Sequence, residues 1–565
     1  MSDIQSDIIT RLEQSVVEIR NVQELCNVPS ISFGVLHQGE IIFRHSIGMR
    51  DVERQLPADS STSYPLGSVS KGFLSAALGI AVDDKKMLFT SKLADFAKDF
   101  HPRGDPNLAK AEITDFMRHT SGLGCPQIML IGPHGVLLSG KDGDKRTIDL
   151  LNESPTTDEQ GQQRLGASFV YNSLAYGLVG VALQEAYSIR YSDFLRDRIL
   201  EPLALRHTAI ARSDLADNDN VACNYCWLKD NQKFSRLNFE LTDERNTPIV
   251  ATMGMRSSVD DMLRWAAALL SAKSQEDTNA NGGFEGGNII NNSENPLRNV
   301  SMIQKPQLLI PTQDEIQNQC AYAMGWSPLT LPSSMLNWLS FNVKLLWDEK
   351  GRDIVNANIL GKESPERLAI IHGGVVNGAS CAFYTFPETQ SAVVAFSNAV
   401  QDGDASDWTA SILKQALFDL QPHVDITASV VEERRLRDEE FDIIHKDWLE
   451  HRNIIAATKA PTTGYVGKYH GLGMTISIME NPQGGLSVRF NDFSQADRDL
   501  DPYDEDVLSF MPLSREAWLE ASMIDWDYYE TGLLRFSRNV ETGQVDGFSW
   551  KWDRGEIASH FKRVD

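Results

Sequence analysis

Cysteine, positive charge and long apolar runs are all scarce in this chain. Its 565 residues contain six cysteines, at positions 26, 125, 223, 226, 320 and 381. They are too few and too dispersed for the disulfide framework of a small secreted domain, and they fit a reducing compartment. Only Cys223 and Cys226 form a C-x-x-C pair; with no second Cys or His pair near it to complete four ligands, no metal site is expected. Fifty-three basic residues stand against 78 acidic ones, a net charge of −25. Such a surface repels a phosphate backbone and an anionic membrane alike, which excludes both as expected partners. No stretch approaches the roughly 18–20 apolar residues of a membrane helix. The opening MSDIQSDIITRLEQ has neither the basic nor the apolar segment of an export signal. The expectation is a soluble, cytoplasmic protein.

What is present is an ordinary globular composition, 42% hydrophobic and 23% charged, enough to bury a full core. ISFGVLH (31–37) and IIFRHSI (41–47) flank Gln38-Gly39-Glu40 and predict a β-hairpin. SKGFLSAALGIAVDDKKML (70–88) is apolar around most of its circumference and predicts a buried helix. Residues 90–270 read as mainly helical with long connections. From Ser274 to Asn299 the composition turns to Asn, Gly, Ser and Glu, which predicts a flexible surface loop. RLAIIHG (367–373), CAFYTF (381–386) and SAVVAF (391–396) predict strands, and Ser406 to Leu420 a closing helix. The chain divides into a large mixed α/β (α+β) domain over 1–425, a charged helical linker over 426–460, and a separate unit over 461–565. In that last unit TISIM, LSVRF, LLRFS and FSWKW alternate between Gly and Asn turns, predicting a small antiparallel barrel or sheet.

One motif carries chemistry. In Gly67-Ser68-Val69-Ser70-Lys71 an S-x-x-K spacing places hydroxyl and amine one helical turn apart on a shared face. A serine alcohol is a weak nucleophile until a neighbouring base takes its proton, and an uncharged lysine is such a base. The spacing alone is weak, since a chain of this length contains about two copies by chance at average usage. Ser411 and Lys414 form another copy and read as structural. Gly378-Ala379-Ser380 lacks the second glycine of a nucleophile elbow, so Ser380 reads as a strand residue. Asp497, Asp499 and Asp501 begin like a calcium loop, but Pro502 and Leu508 stand where glycine and glutamate belong, and a solvated acidic turn is expected.

Context separates Ser68 from its copy. PLGSVSKGFLSAALGIAVDDKKM, MRHTSGL (117–123), FVYNSLAYGLVG (169–180), GMRSSVDDMLRWAAALL (254–270) and IIHGGVVNGAS (370–380) follow in an order that resembles the class C β-lactamase-like serine hydrolases over about residues 25–420. The resemblance implies a mixed, mainly antiparallel sheet with a helical subdomain, and a lipocalin-like C-terminal barrel. It implies Ser68 as nucleophile, Lys71 and Tyr171 as proton carriers, and an oxyanion hole from the backbone N–H groups of Ser68 and Val375. His119 is implied to fix a loop near the site. The family's Tyr-x-Asn element appears as Tyr171-Asn172-Ser173, with Ser173 for asparagine. Its Lys-Thr-Gly element appears as His372-Gly373-Gly374, closer to the esterases, D-amino-acid peptidases and acyltransferases of the group. His372 is then expected to polarise the site or hold a substrate oxygen, while Gly373, Gly374 and Ser173 line the substrate. The implied function is cleavage of an ester or amide in a small-molecule or short-peptide acyl substrate, without metal or organic cofactor. Two alternatives remain open at this stage: an acyltransferase using the same residues, and a catalytically inactive binding module.

Overall fold

The hairpin predicted around Gln38-Gly39 forms as strands β1 (Ser30–His37) and β2 (Glu40–Asp51). Gln38 and Gly39 both take positive φ, 51° and 79°, the two-residue turn whose twist suits antiparallel strands. With β3 (Leu56–Pro57), β4 (Ser327–Leu331), β5 (Arg367–Val376), β6 (Ala379–Phe386) and β7 (Ser391–Ser397) they make a seven-stranded sheet in the order β4-β5-β6-β7-β1-β2-β3. Its neighbours pair antiparallel. Strands β6 and β7 are buried along their whole length, which is why they read as continuous apolar runs rather than alternating ones. The helices Asp3–Leu25 and Ala405–Phe418 cover one face, where Phe33 and Val35 meet Leu12, Trp408 and Ile412 in the main core. Gly34 points the other way, and a Cβ there would lie 2.7 Å from Val259 of the helix Val259–Asn281.

The structure, a computed structural model, describes residues 3–216, 219–281, 295–310, 320–333, 337–457, 462–523, 526 and 528–564. They form two compact units that interleave along the chain. The first contains Met1–Ser91, Val179–Arg236 and Leu241–Arg437, and therefore the sheet; the second contains Lys92–Leu178, Leu237–Glu240 and Asp438–Asp565. The C-terminal strands of the second unit close into an eight-stranded barrel. They are β8 (Gly467–Gly471), β9 (Met474–Glu480), β10 (Leu486–Phe490), β11 (Arg498–Asp504), β12 (Val507–Ser509), β13 (Leu533–Arg538), β14 (Val545–Trp550) and β15 (Ser559–Arg563). Aromatic side chains pack inside it. Phe548 stacks on Phe561 with ring centres 4.9 Å apart, Phe490 lies 5.7 Å from Trp550, and all four are buried. Eight strands enclose just enough room for side chains to fill.

Three expectations change. The loop predicted from Ser274 continues as helix to Asn281, because its polar residues have partners. Glu276 accepts the backbone N–H of Val300 and Ser301 at 3.0 and 2.8 Å, and Asp277 accepts the Ser301 hydroxyl at 2.6 Å. The remainder of that predicted loop, 282–294, lies outside the described residues. The middle region, read as mainly helical, also holds a β-hairpin of Asn224–Leu228 and Lys233–Leu237. Asp499 and Asp501 stand on strand β11 rather than in a turn; Asp497 just before it is held by the Arg489 fork at 2.8 and 2.6 Å. Ser411 and Lys414 are buried in the helix Ala405–Phe418, with Lys414 Nζ 3.9 Å from the Tyr384 ring centre, and burial pushes its pKa down to about 8. Ser380 is on β6, bonded to the hydroxyls of Ser397 and Ser406. Among the described residues no helix is long and apolar enough to cross a membrane.

Candidate active site

Ser68 sits in a tight 3-10 turn, Gly67–Ser70, which runs directly into the helix Lys71–Asp83. The turn is anchored by the Leu66 N–H on Met255 O at 2.9 Å. Only glycine fits at position 67, because its φ is +52° and a Cβ would stand 2.7 Å from the Val375 nitrogen. Lys71 Nζ reaches Ser68 Oγ at 3.1 Å and Thr252 O at 3.2 Å. Ser68 is partly exposed, whereas Gly67, Val69, Ser70 and Lys71 are buried. A solvent-accessible hydroxyl therefore stands over a sealed amine. Thr252 was not foreseen. It contributes a backbone carbonyl, which no side-chain motif announces.

Strand β5 brings the third element to this turn. Gly374 faces it so closely that a Cβ would lie 1.9 Å from Leu66 O and 3.1 Å from the Ser68 nitrogen. On the opposite face a Cβ at Gly373 would meet Leu339 O at 2.7 Å. The space left by both glycines is thus taken by the protein's own backbone. Side chains alternate along a strand, so His372 points to the same face as Gly374. His372 is 1% exposed and its Nδ1 lies 2.6 Å from Gly373 O. A carbonyl only accepts, so Nδ1 carries the proton and Nε2 is left as an acceptor. Burial, then the charge of Lys71, pushes the His372 pKa down to about 3. The imidazole is therefore neutral. Nε2 can accept a hydrogen bond but not donate one; among the described residues it has no partner.

Tyr171 and Ser173 belong to the second unit. Asn172 precedes the helix Ser173–Tyr187, and its Oδ1 accepts the Ala175 N–H at 2.9 Å as a helix cap does. Its Nδ2 donates to Leu123 O and Gly124 O at 3.1 and 2.8 Å. His119 braces the same spot: its Nδ1 accepts the Asn172 N–H at 3.2 Å, and its ring lies 4.3 Å from that of Tyr171. His119 takes a left-handed φ of 60°, which turns the chain back so that its own carbonyl accepts the Val170 N–H at 2.9 Å. Tyr171 is partly exposed and Ser173 is buried. The structure thus brings Ser68, Lys71, His372, Gly373, Gly374 and Val375 together in one unit and holds Tyr171, Asn172 and Ser173 in the other.

Comparison with known proteins bears on family and fold. The family model "Beta-lactamase" matches residues 19–417. Protein flp of Staphylococcus aureus (strain NCTC 8325 / PS 47) is 19% identical over 358 residues, covering 62% of this chain and 64% of that protein. Penicillin-binding protein 4* of Bacillus subtilis (strain 168) is 24% identical over 195 residues, 34% of this chain and 40% of that protein. The chain therefore spans less than two thirds of the length of either relative. Among solved structures, the octameric penicillin-binding protein homologue from Pyrococcus abyssi superposes with a TM-score of 0.53 at 15% identity, covering 98% of this chain and all of that one. A class C β-lactamase in complex with cefoxitin superposes with a TM-score of 0.51 at 15% identity, over 74% of this chain and 99% of that one. Similarity at that identity speaks to the fold.

Proposed function

The chain belongs to the Beta-lactamase family, and from that membership we propose that it is a serine hydrolase cleaving an ester or amide of a small-molecule or short-peptide acyl substrate through an acyl-enzyme on Ser68. The observation that carries this reading is the 3.1 Å approach of the buried Lys71 Nζ to the partly exposed Ser68 Oγ. In its unprotonated form Lys71 takes the hydroxyl proton as Oγ bonds to the substrate carbonyl carbon. The oxyanion is met by the backbone N–H groups of Ser68 and Val375, donors worth on the order of 3 kcal/mol each when preorganised. Collapse breaks the bond to the leaving alcohol or amine, which receives its proton through the Tyr171 phenol. Water then attacks the acyl-enzyme and frees Ser68. The neutral, buried His372 keeps the role of polarising the site from the face of β5 that it shares with Gly374.

The test is intact mass after reaction with a fluorophosphonate, with an activated p-nitrophenyl ester as the kinetic substrate. One adduct per chain is expected, absent in Ser68→Ala, retained in Ser411→Ala, and formed more slowly in Tyr171→Phe. An adduct that survives Ser68→Ala, or none on folded protein, overturns the proposal. Adding an acceptor alcohol or amine and following the products separates hydrolysis from acyl transfer, which would use the same residues.

A further inference from the structure

The second unit contains a contact between sequence-distant residues that the proposed chemistry does not use. Arg164, from the segment just ahead of Tyr171, and Glu556, between barrel strands β14 and β15, are 7% and 6% exposed and meet at 2.7 Å. Arg164 also donates to Gly555 O at 3.3 Å. The Glu556 carboxylate stands where any side chain at position 124 would be, 2.9 Å from a Cβ built on Gly124. Gly124 O is one of the two carbonyls that hold Asn172.

From Arg164 the chain of contacts leads to the phenol. Gly166 N–H donates to Thr120 O at 2.8 Å and Val170 N–H to His119 O at 2.9 Å. Gly122 is glycine because a Cβ would meet Leu165 N at 2.5 Å. The turn 119–124 is therefore clamped between the 164–170 segment and the barrel carboxylate, and this turn carries the His119 ring against Tyr171 and the carbonyls that fix Asn172.

We propose that Arg164 and Glu556 are positioning residues through which the C-terminal barrel fixes Tyr171. The inference rests on the role assigned above to Tyr171, but its structural half stands without it. A buried ion pair is a geometric constraint, since neither charge tolerates moving away from the other. A misplacement of about 1 Å in a catalytic group costs on the order of 100-fold in rate.

The experiment compares the full-length protein with Glu556→Gln, Arg164→Lys and Tyr171→Phe, and with Tyr171→Phe combined with each of the other two. Glu556→Gln keeps the shape and removes the charge; Arg164→Lys keeps the charge and removes the fork. Expected is a fall in kcat for the p-nitrophenyl ester on the order of 10- to 100-fold with KM little changed, shrinking to less than 2-fold when Tyr171 is already Phe. Backbone amide exchange should accelerate in 119–124 and 170–172 of the single variants, a readout independent of turnover. Rate losses that multiply with Tyr171→Phe, or exchange in those segments equal to the parent's, overturn the proposal. Loss of the Ser68 adduct in the parent would instead refute the hydrolase reading, and the exchange result would still decide the clamp. Should Glu556→Gln fail to fold, Arg164→Lys supplies both readouts.

Discussion

An imidazole held to a pKa of about 3 carries no charge at any pH near neutrality. Burial is the main cause, the charge of Lys71 adds to it, and the bond to Gly373 O opposes both. In an unfolded chain the same histidine titrates near 6.5. As pH falls below that value the unfolded state gains a proton that the folded state refuses until about pH 3, so stability is lost across that window and nothing is lost above it. The slope approaches about 1.4 kcal/mol per pH unit. His372→Gln removes this titration. Urea unfolding should show the variant losing less stability than the parent between pH 7 and pH 4, by about 3 kcal/mol; equal losses would place the acid sensitivity elsewhere. The identity of the residue at this position was legible in the sequence, and so was its departure from lysine. Its tautomer was not, because that depends on how strand β5 turns a carbonyl back on the ring.

At the scale of elements, the nucleophile turn and strand β5 touch through two positions without side chains. A Cβ at Gly374 would stand 1.9 Å from Leu66 O, a distance no relaxation of a flexible side chain can relieve, since the obstacle is backbone. Gly374→Ala must therefore separate strand from turn and move the Val375 N–H away from Ser68. The expected outcome is a loss of about 1–3 kcal/mol in stability together with a fall of roughly 100-fold in the rate of Ser68 acylation, read by denaturant midpoint and by burst kinetics. A variant that acylates at the parental rate would contradict the contact. The sequence showed both glycines and suggested that substrate uses their space; only the register of β5 against the turn shows that the protein's own backbone does. Strands and helices with strong apolar patterns were legible, including β1, β5, β6 and β7. The helix that reaches Asn281 was not, because Glu276 and Asp277 find their partners at Val300 and Ser301.

For the whole molecule, the fold class and the barrel were readable from ordered motifs and alternating strands. The grouping of Lys92–Leu178 with the barrel residues was not, since it depends on contacts hundreds of residues apart. Asn491 donates to Leu138 O at 3.0 Å, and Glu153 accepts the Gly473 N–H at 2.9 Å. Removing Asp438–Asp565 leaves these groups and Arg164 without those partners. A chain ending at Arg437 should therefore show faster amide exchange throughout 92–178 and aggregate on concentration, while exchange in strands β1 and β5–β7 changes less. Unaltered protection of 92–178 in the shortened chain would contradict the grouping.

The interleaved order of the two units has a consequence during synthesis. Residues 92–178 leave the ribosome well before the barrel residues they pack with, which end at position 565. At 5–20 residues per second the delay between Leu178 and Asp565 is roughly 20–80 s. Until Glu556 is made Arg164 lacks the carboxylate that holds it, and a chain with unfinished packing is open to chaperones and to self-association. On the positioning proposed above, the serine and its lysine are made early, and the clamp on Tyr171 closes only when the segment between β14 and β15 arrives. A ribosome stalled before the barrel would carry a nucleophile without its fixed proton carrier, so activity would be withheld until strands β14 and β15 are made.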